Sequence, residues 1–185
     1  MEISRLSAPN KAAKSRAHLR EFQTQLAKRI RDAGAAPATQ PRLALRLDQL
    51  NVLIDLGETG EIIAVPPMTR VPRTQPWYLG IANIRGNLIG VVDAGLMLRG
   101  QPTSLEPNSR AILFAPALRI NVAVLATRVL GLRNLADFTW QEASGLAPGL
   151  QDFATAQYVD AAGGQWTELS LALLAESEKF LQIGA

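Results

Sequence analysis

The sequence predicts an all-β domain built as two small lobes, preceded by an amphipathic helix and closed by a short C-terminal helix. From Arg42 onward, short runs rich in Val, Ile and Leu are punctuated by Gly, Pro, Asn and Asp every eight to twelve residues, the texture of small sheets. Two apolar hairpins far apart in the chain look alike, which hints at a tandem of β units. A separate stripe, Leu19, Phe22, Leu26 and Ile30, recurs at spacings of three and four, the period of a helix with one apolar face.

The elements follow in order. Residues 10–33 read as the helix, with Asn10 or Ser7 placed to cap its start and Gly34 its end. The segment Ala35 to Pro41 carries two prolines and no charge and reads as a linker. Residues 1–41 therefore form an extension, and residues 42–185 the domain. Within the domain, Leu43, Leu45 and Leu47 alternate with Ala44 and Arg46, and Val52 to Ile54 follows closely enough to complete a hairpin. Arg110 to Ala115 and Ile120 to Ala126 form the similar second hairpin, with Pro116 in its turn. Between them, Tyr78 to Ile84 and Asn87 to Val92 read as strands around Arg85-Gly86, Gly86 supplying the positive φ of a tight turn. Ala94 to Leu98 reads as a short helical turn that Asp93 caps, and Gln101 to Asn108 as an exposed loop. Ser170 to Ala175 and Glu178 to Ile183 read as a terminal helix broken near Ser177.

The chain has 185 residues, a net charge of +3 and a pI of about 9.7, values that raise nucleic acid or a membrane surface as partners. The charge is unevenly placed. Residues 1–42 hold nine Lys or Arg against three Asp or Glu, and residues 43–185 hold ten against thirteen. The domain itself is thus mildly acidic. With ten aromatics in the whole chain it offers few stacking platforms for bases, so no nucleic acid partner is expected for it. No apolar run approaches the roughly 18 residues of a bilayer span, and a cytoplasmic protein is expected.

Catalytic chemistry has little to draw on. The chain has no Cys and a single His, His18, which removes thiolate nucleophiles, Cys-ligated metals and multi-His centres. His18 lies in the most basic stretch and reads as a solvated helix residue. Asp48, Asp55, Glu58 and Glu61 cluster in sequence, but without a pocket such acids mark turns and solvated edges. Leu56 to Glu61 lacks the Gly-Lys-Ser/Thr of a phosphate loop. A non-enzymatic binding protein with no cofactor and no metal is the expectation.

The densest signal is Gly80 to Gly100, GIANIRGNLIGVVDAGLMLRG. It resembles the signature of the CheW-like family, in which a glycine is followed by Asn, an aliphatic residue, Arg and Gly, then by aliphatic residues and an Asp. Glu61-Ile62, Thr69 to Pro72 and Pro76-Trp77 upstream, and Val122 to Leu135 downstream, are similar to further family blocks in the same order. The resemblance spans roughly residues 42–182 and is strongest to the PilI type, from chemosensory systems of type IV pili and twitching motility. Gly90 replaces a usual proline, Thr127-Arg128 stands where an aspartate commonly precedes arginine, and Ala94 replaces a usual leucine.

The resemblance implies two packed five-stranded SH3-like barrels. It also implies an adaptor that joins the cytoplasmic tip of a chemoreceptor to the regulatory domain of a CheA-type histidine kinase. Carried over by position, Glu61 and Arg85 face each other on the receptor-facing side, either as a bridge holding strands together or as partner contacts. Gly80 marks a bulge or a close backbone approach, by a partner or within the chain. Trp77 and Tyr78 fill the core or line an interface groove. The partner-binding set is therefore Glu61, Trp77, Gly80, Arg85 and Gly86. The N-terminal helix packs on the domain, docks a partner or lies on anionic lipid with Lys28, Arg29 and Arg31 outward. The competing reading is a stand-alone binding module that recruits membrane or nucleic acid through that basic helix.

Overall fold

A computed structural model of the protein describes residues 40–142 and 144–185. The predicted helix over residues 10–33 and His18 lie outside them. Eleven strands dominate the regular structure of the described chain: β1 (Pro41–Leu47), β2 (Leu50–Asp55), β3 (Thr59–Ala64), β4 (Tyr78–Ile84), β5 (Asn87–Val92), β6 (Arg110–Phe114), β7 (Val122–Ala126), β8 (Arg128–Asn134), β9 (Phe138–Gln141), β10 (Ala154–Asp160) and β11 (Gln165–Leu169). Short helices α1 (Ala94–Arg99), α2 (Pro148–Gln151), α3 (Leu171–Glu176) and α4 (Glu178–Leu181) connect and close them.

The predicted hairpins are present. β1 pairs antiparallel with β2, Leu45 opposite Val52, and β6 with β7, Ile112 opposite Val124. The chain does not continue each hairpin within its own sheet. β3 leaves β2 and pairs with β6, and β8 leaves β7 and pairs with β1. One sheet therefore runs β8-β1-β2-β11-β10-β9 and the other β3-β6-β7-β5-β4. Both use the same sequence of pairings: antiparallel, antiparallel, parallel at β2–β11 or β7–β5, then antiparallel. The internal likeness of the two hairpins is thus a repeat of topology.

Both sheets are rolled. Six flat strands would set β8 and β9 about 24 Å apart, yet only residues 135–137 join them, a reach of about 14 Å. No ladder closes either sheet among the described residues, and the first sheet has six strands where the resemblance implied five, while the second has the five implied. The sixth strand, β9, forms a four-residue ladder with β10. The corresponding segment of the other lobe reaches β4 only through a single bridge, Thr69 to Ile81. Pro66 and Pro67 precede that bridge and lack the N–H groups a ladder needs.

The hydrophobic runs are nearly continuous because both strand faces are covered. Ala44 and Leu53 pack with Trp166 inside the first rolled sheet, while Ala111, Ala123 and Leu125 pack inside the second. Alternate residues Leu43, Leu45, Ile112 and Val124 point the other way into a larger cluster contributed by both sheets and all four helices. At its centre Phe180 of α4 stacks between Trp77 and Phe114, with ring centroids 6.0 and 5.9 Å apart.

Polar groups tie the helices to this core. Asp93, buried, caps α1 through Leu96 N at 3.0 Å and also accepts from Thr103 N and Oγ1 at 2.8 and 2.6 Å. The loop read as exposed is therefore pinned at Thr103, which is buried. Ser170 caps α3, and Glu58 takes Leu171 N at 2.6 Å and Ser170 Oγ at 3.0 Å. The terminal helix breaks at Ser177 as its pattern predicts.

In the first sheet, Arg42 meets Asp55 at 3.0 Å and Glu168 at 2.5 Å, and Tyr158 donates to the second oxygen of Glu168 at 3.2 Å. Burial, then the charge and hydrogen bond of Glu168, push the Tyr158 hydroxyl above its usual pKa. Asp160 is held below the usual carboxylate range, chiefly by the Trp166 indole N–H at 2.9 Å and then by the Gly164 N–H.

Phe180→Ala is expected to cost about 3–5 kcal/mol in denaturant unfolding, whereas Leu181→Ala, at an exposed neighbour, is expected to stay within about 0.5 kcal/mol of wild type. Because Tyr158 is raised in the folded state, its contribution is complete below the unfolded value of about 10 and is lost as pH climbs through the folded value. Melting temperature is therefore expected to fall as pH climbs above about 10, and less steeply in Tyr158→Phe. Tyr78, raised by burial, retains part of the fall in that variant.

Candidate functional site

The β4–β5 hairpin turns at Arg85-Gly86, with φ of +52° and +88°. Two positive φ values make the mirror-image turn that matches strand twist. Asn83 Oδ1 accepts from Gly86 N at 2.9 Å and braces it. Asparagine or glycine is the usual occupant of the first turn position. An arginine there carries a conformational cost of about 1 kcal/mol.

The guanidinium reaches Glu61 on β3, Nη1 to Oε1 at 2.7 Å. Strands β3 and β4 are the opposite edges of the five-stranded order, which would stand about 19 Å apart in a flat sheet. The pair thus spans the open seam of the rolled sheet. Its side chains are 75% and 48% exposed, and an ion pair so exposed contributes about 0–1 kcal/mol. Strain and attraction nearly cancel, so Arg85 adds little to stability. Ile62, next to Glu61, is also exposed.

The other expected partner-binding residues sit differently. Trp77 is 7% exposed and stacks on Phe180, so of the two places expected for it, core or groove, its ring packs in the core. Gly80 is buried opposite Val91, at a bulge between Tyr78 and Gly80, with φ +144°. A Cβ there would strike the Thr69 carbonyl oxygen, because Thr69 and Ile81 exchange backbone hydrogen bonds at 2.8 and 2.9 Å beside it. Of the two approaches expected at Gly80, the one present is made by this chain's own segment. Gly86 serves the turn and has open space around its Cα.

An apolar groove that the sequence did not reveal runs beside the same hairpin. Its volume is about 270 Å³, and Tyr78, Ile81, Leu88, Gly90, Phe180 and Leu181 are among its lining residues. Gly90 leaves room for the Tyr78 ring, whose hydroxyl would lie 2.9 Å from a Cβ at that position. Leu88 is the most exposed large apolar residue described, at 65%.

The fold agrees with that of other chains. Residues 42–179 match the CheW-like domain model, and the chain belongs to that family. Over 87 residues it is 28% identical to the protein PilI of Pseudomonas aeruginosa strain PAO1, an alignment covering 47% of this chain and 48% of PilI. The chain thus matches about half the length of that curated relative. The crystal structure of the scaffolding protein TtCheW from Thermoanaerobacter tengcongensis superposes with a TM-score of 0.62 at 16% identity, covering 76% of this chain and 95% of that one. At this identity the likeness speaks for the fold. No helix among the described residues is long and apolar enough to cross a membrane.

Gly80→Ala is expected to lower unfolding free energy by about 2–4 kcal/mol through backbone strain and collision with Thr69. Arg85→Asn, which suits the left-handed turn, is expected to unfold within about 1 kcal/mol of wild type although the ion pair is gone. Denaturant titration of both variants checks the contrast.

Proposed function

We propose that the protein is a non-enzymatic chemosensory adaptor that joins the cytoplasmic tip of a chemoreceptor to the regulatory domain of a CheA-type histidine kinase. The system it serves is a type IV pilus twitching system, and its place of action is the cytoplasm. Membership in the CheW-like family and the similarity to PilI support this reading. The observation that carries it is the Glu61–Arg85 pair, held outward at a turn where arginine is conformationally costly and the ion pair is too exposed to offset more than that cost. A planar two-donor guanidinium and a carboxylate, with Ile62 beside them, form a small polar contact patch with an apolar member, suited to a protein surface. Partner contact by this pair explains why an arginine occupies the turn.

Purified full-length protein is expected to retain both the receptor tip and the kinase regulatory domain in pull-down. Arg85→Ala is expected to weaken receptor-tip binding about tenfold or more while keeping one cooperative thermal transition. A folded wild-type protein that binds neither partner removes the proposal. Unfolding of Arg85→Ala would assign the pair to the fold.

A further inference from the structure

A second charged surface lies on β1, β6 and β8. In the β1–β8 ladder Arg46 stands directly opposite Arg128, a like-charge cross-strand pair that on its own destabilises a sheet. Arg128 and Arg110 line a cleft of about 320 Å³ together with Asn108 and Val129. Arg46 and Arg128 thus project from one face of the ladder, and Arg110 adjoins Arg128 at the cleft.

The hydrogen bonds of Arg46 and Arg110 fix direction without cancelling charge. Arg46 donates from Nε and Nη2 to Asn51 Oδ1 at 3.3 and 3.1 Å, and the Asn51 amide is itself anchored on the Gln165 carbonyl at 3.1 Å. Arg110 Nη1 donates to the Ser109 and Pro107 carbonyls at 2.7 and 3.4 Å. Arg128 alone meets an acid, Glu106 at 3.2 Å, and that pair is about half exposed on each side. Asp48, in the β1–β2 turn, accepts from Ser104 Oγ and makes no ion pair among the described residues.

We infer that Arg46, Arg110 and Arg128 form a docking surface for a carboxylate-rich segment of a partner protein. Neutral oxygens hold two of the forks in place, so little ordering entropy remains to be lost when carboxylates arrive. Nine of the ten basic residues in 43–185 are arginine, the side chain whose planar fork takes a carboxylate through two parallel hydrogen bonds. Acidic groups arriving here also relieve the repulsion between Arg46 and Arg128. The surface is separate from the Glu61–Arg85 seam, so the two stand or fall independently.

Fluorescence anisotropy tests it, with a labelled Glu-rich peptide, a Gln-rich peptide of equal length and the full chain. The Glu-rich peptide is expected to bind and to be released by salt. R46Q/R128Q is expected to bind it about tenfold more weakly or worse, with a melting temperature equal to or above wild type. R110Q, whose side chain is held only by backbone carbonyls, is expected to weaken binding in the same direction and keeps the test readable if the double variant does not fold. Equal binding of the Gln-rich peptide overturns the inference. So does unchanged affinity in R110Q or in a folded R46Q/R128Q, which would assign binding to the basic residues 1–39. Tighter, arginine-dependent binding of a single-stranded oligonucleotide of equal charge also overturns it.

Discussion

Each apolar hairpin of this protein hands its next strand to the opposite sheet, and that exchange is the constraint from which the remaining architecture follows. β3 completes the sheet built on β6–β7, and β8 completes the sheet built on β1–β2. Neither sheet has a full set of edges unless the other has formed. The exchange also explains why the central strands are apolar on both faces. One face fills its own rolled sheet, and the other meets the cluster in which Trp77, Phe180 and Phe114 stack.

The seam left by rolling the five-stranded sheet is where the candidate site arises. An edge strand leaves backbone groups unpaired and is ordinarily a liability. Here the outer edge of β4 is covered at Ile81 by Thr69, an approach that only a glycine at position 80 permits. Further along the seam, Arg85 and Glu61 face solvent across it. Covering the seam requires a glycine, whereas presenting a charged pair at its end brings almost no net stability. The first feature belongs to folding and the second is the one proposed above for recognition, and sequence position alone does not separate them.

Much of the local structure was legible because it depends on residues a few positions apart. Alternation in Leu43 to Leu47, the Arg85-Gly86 turn, the Asp93 cap and the break at Ser177 are all written in neighbouring residues. The resemblance of the Gly80 to Gly100 segment pointed to the family that the domain match establishes. Illegible features depend on which distant strands meet. The crossing of β3 and β8, the six-stranded sheet, the burial of Trp77 under a helix a hundred residues away and the opposition of Arg46 and Arg128 are of that kind. The two prolines before Thr69 were a usable sign that the lobes would differ in strand number, but only once the repeat was known.

Under the proposed function, the Glu61–Arg85 pair serves a partner while the fold is indifferent to it. A double-mutant cycle on Glu61 and Arg85, read in parallel as unfolding free energy and as affinity for the receptor tip, tests this most directly. A coupling energy in unfolding below about 1 kcal/mol and a clearly larger coupling in binding are expected. Strong coupling in unfolding with none in binding would contradict it and leave the pair as a clasp of the rolled sheet.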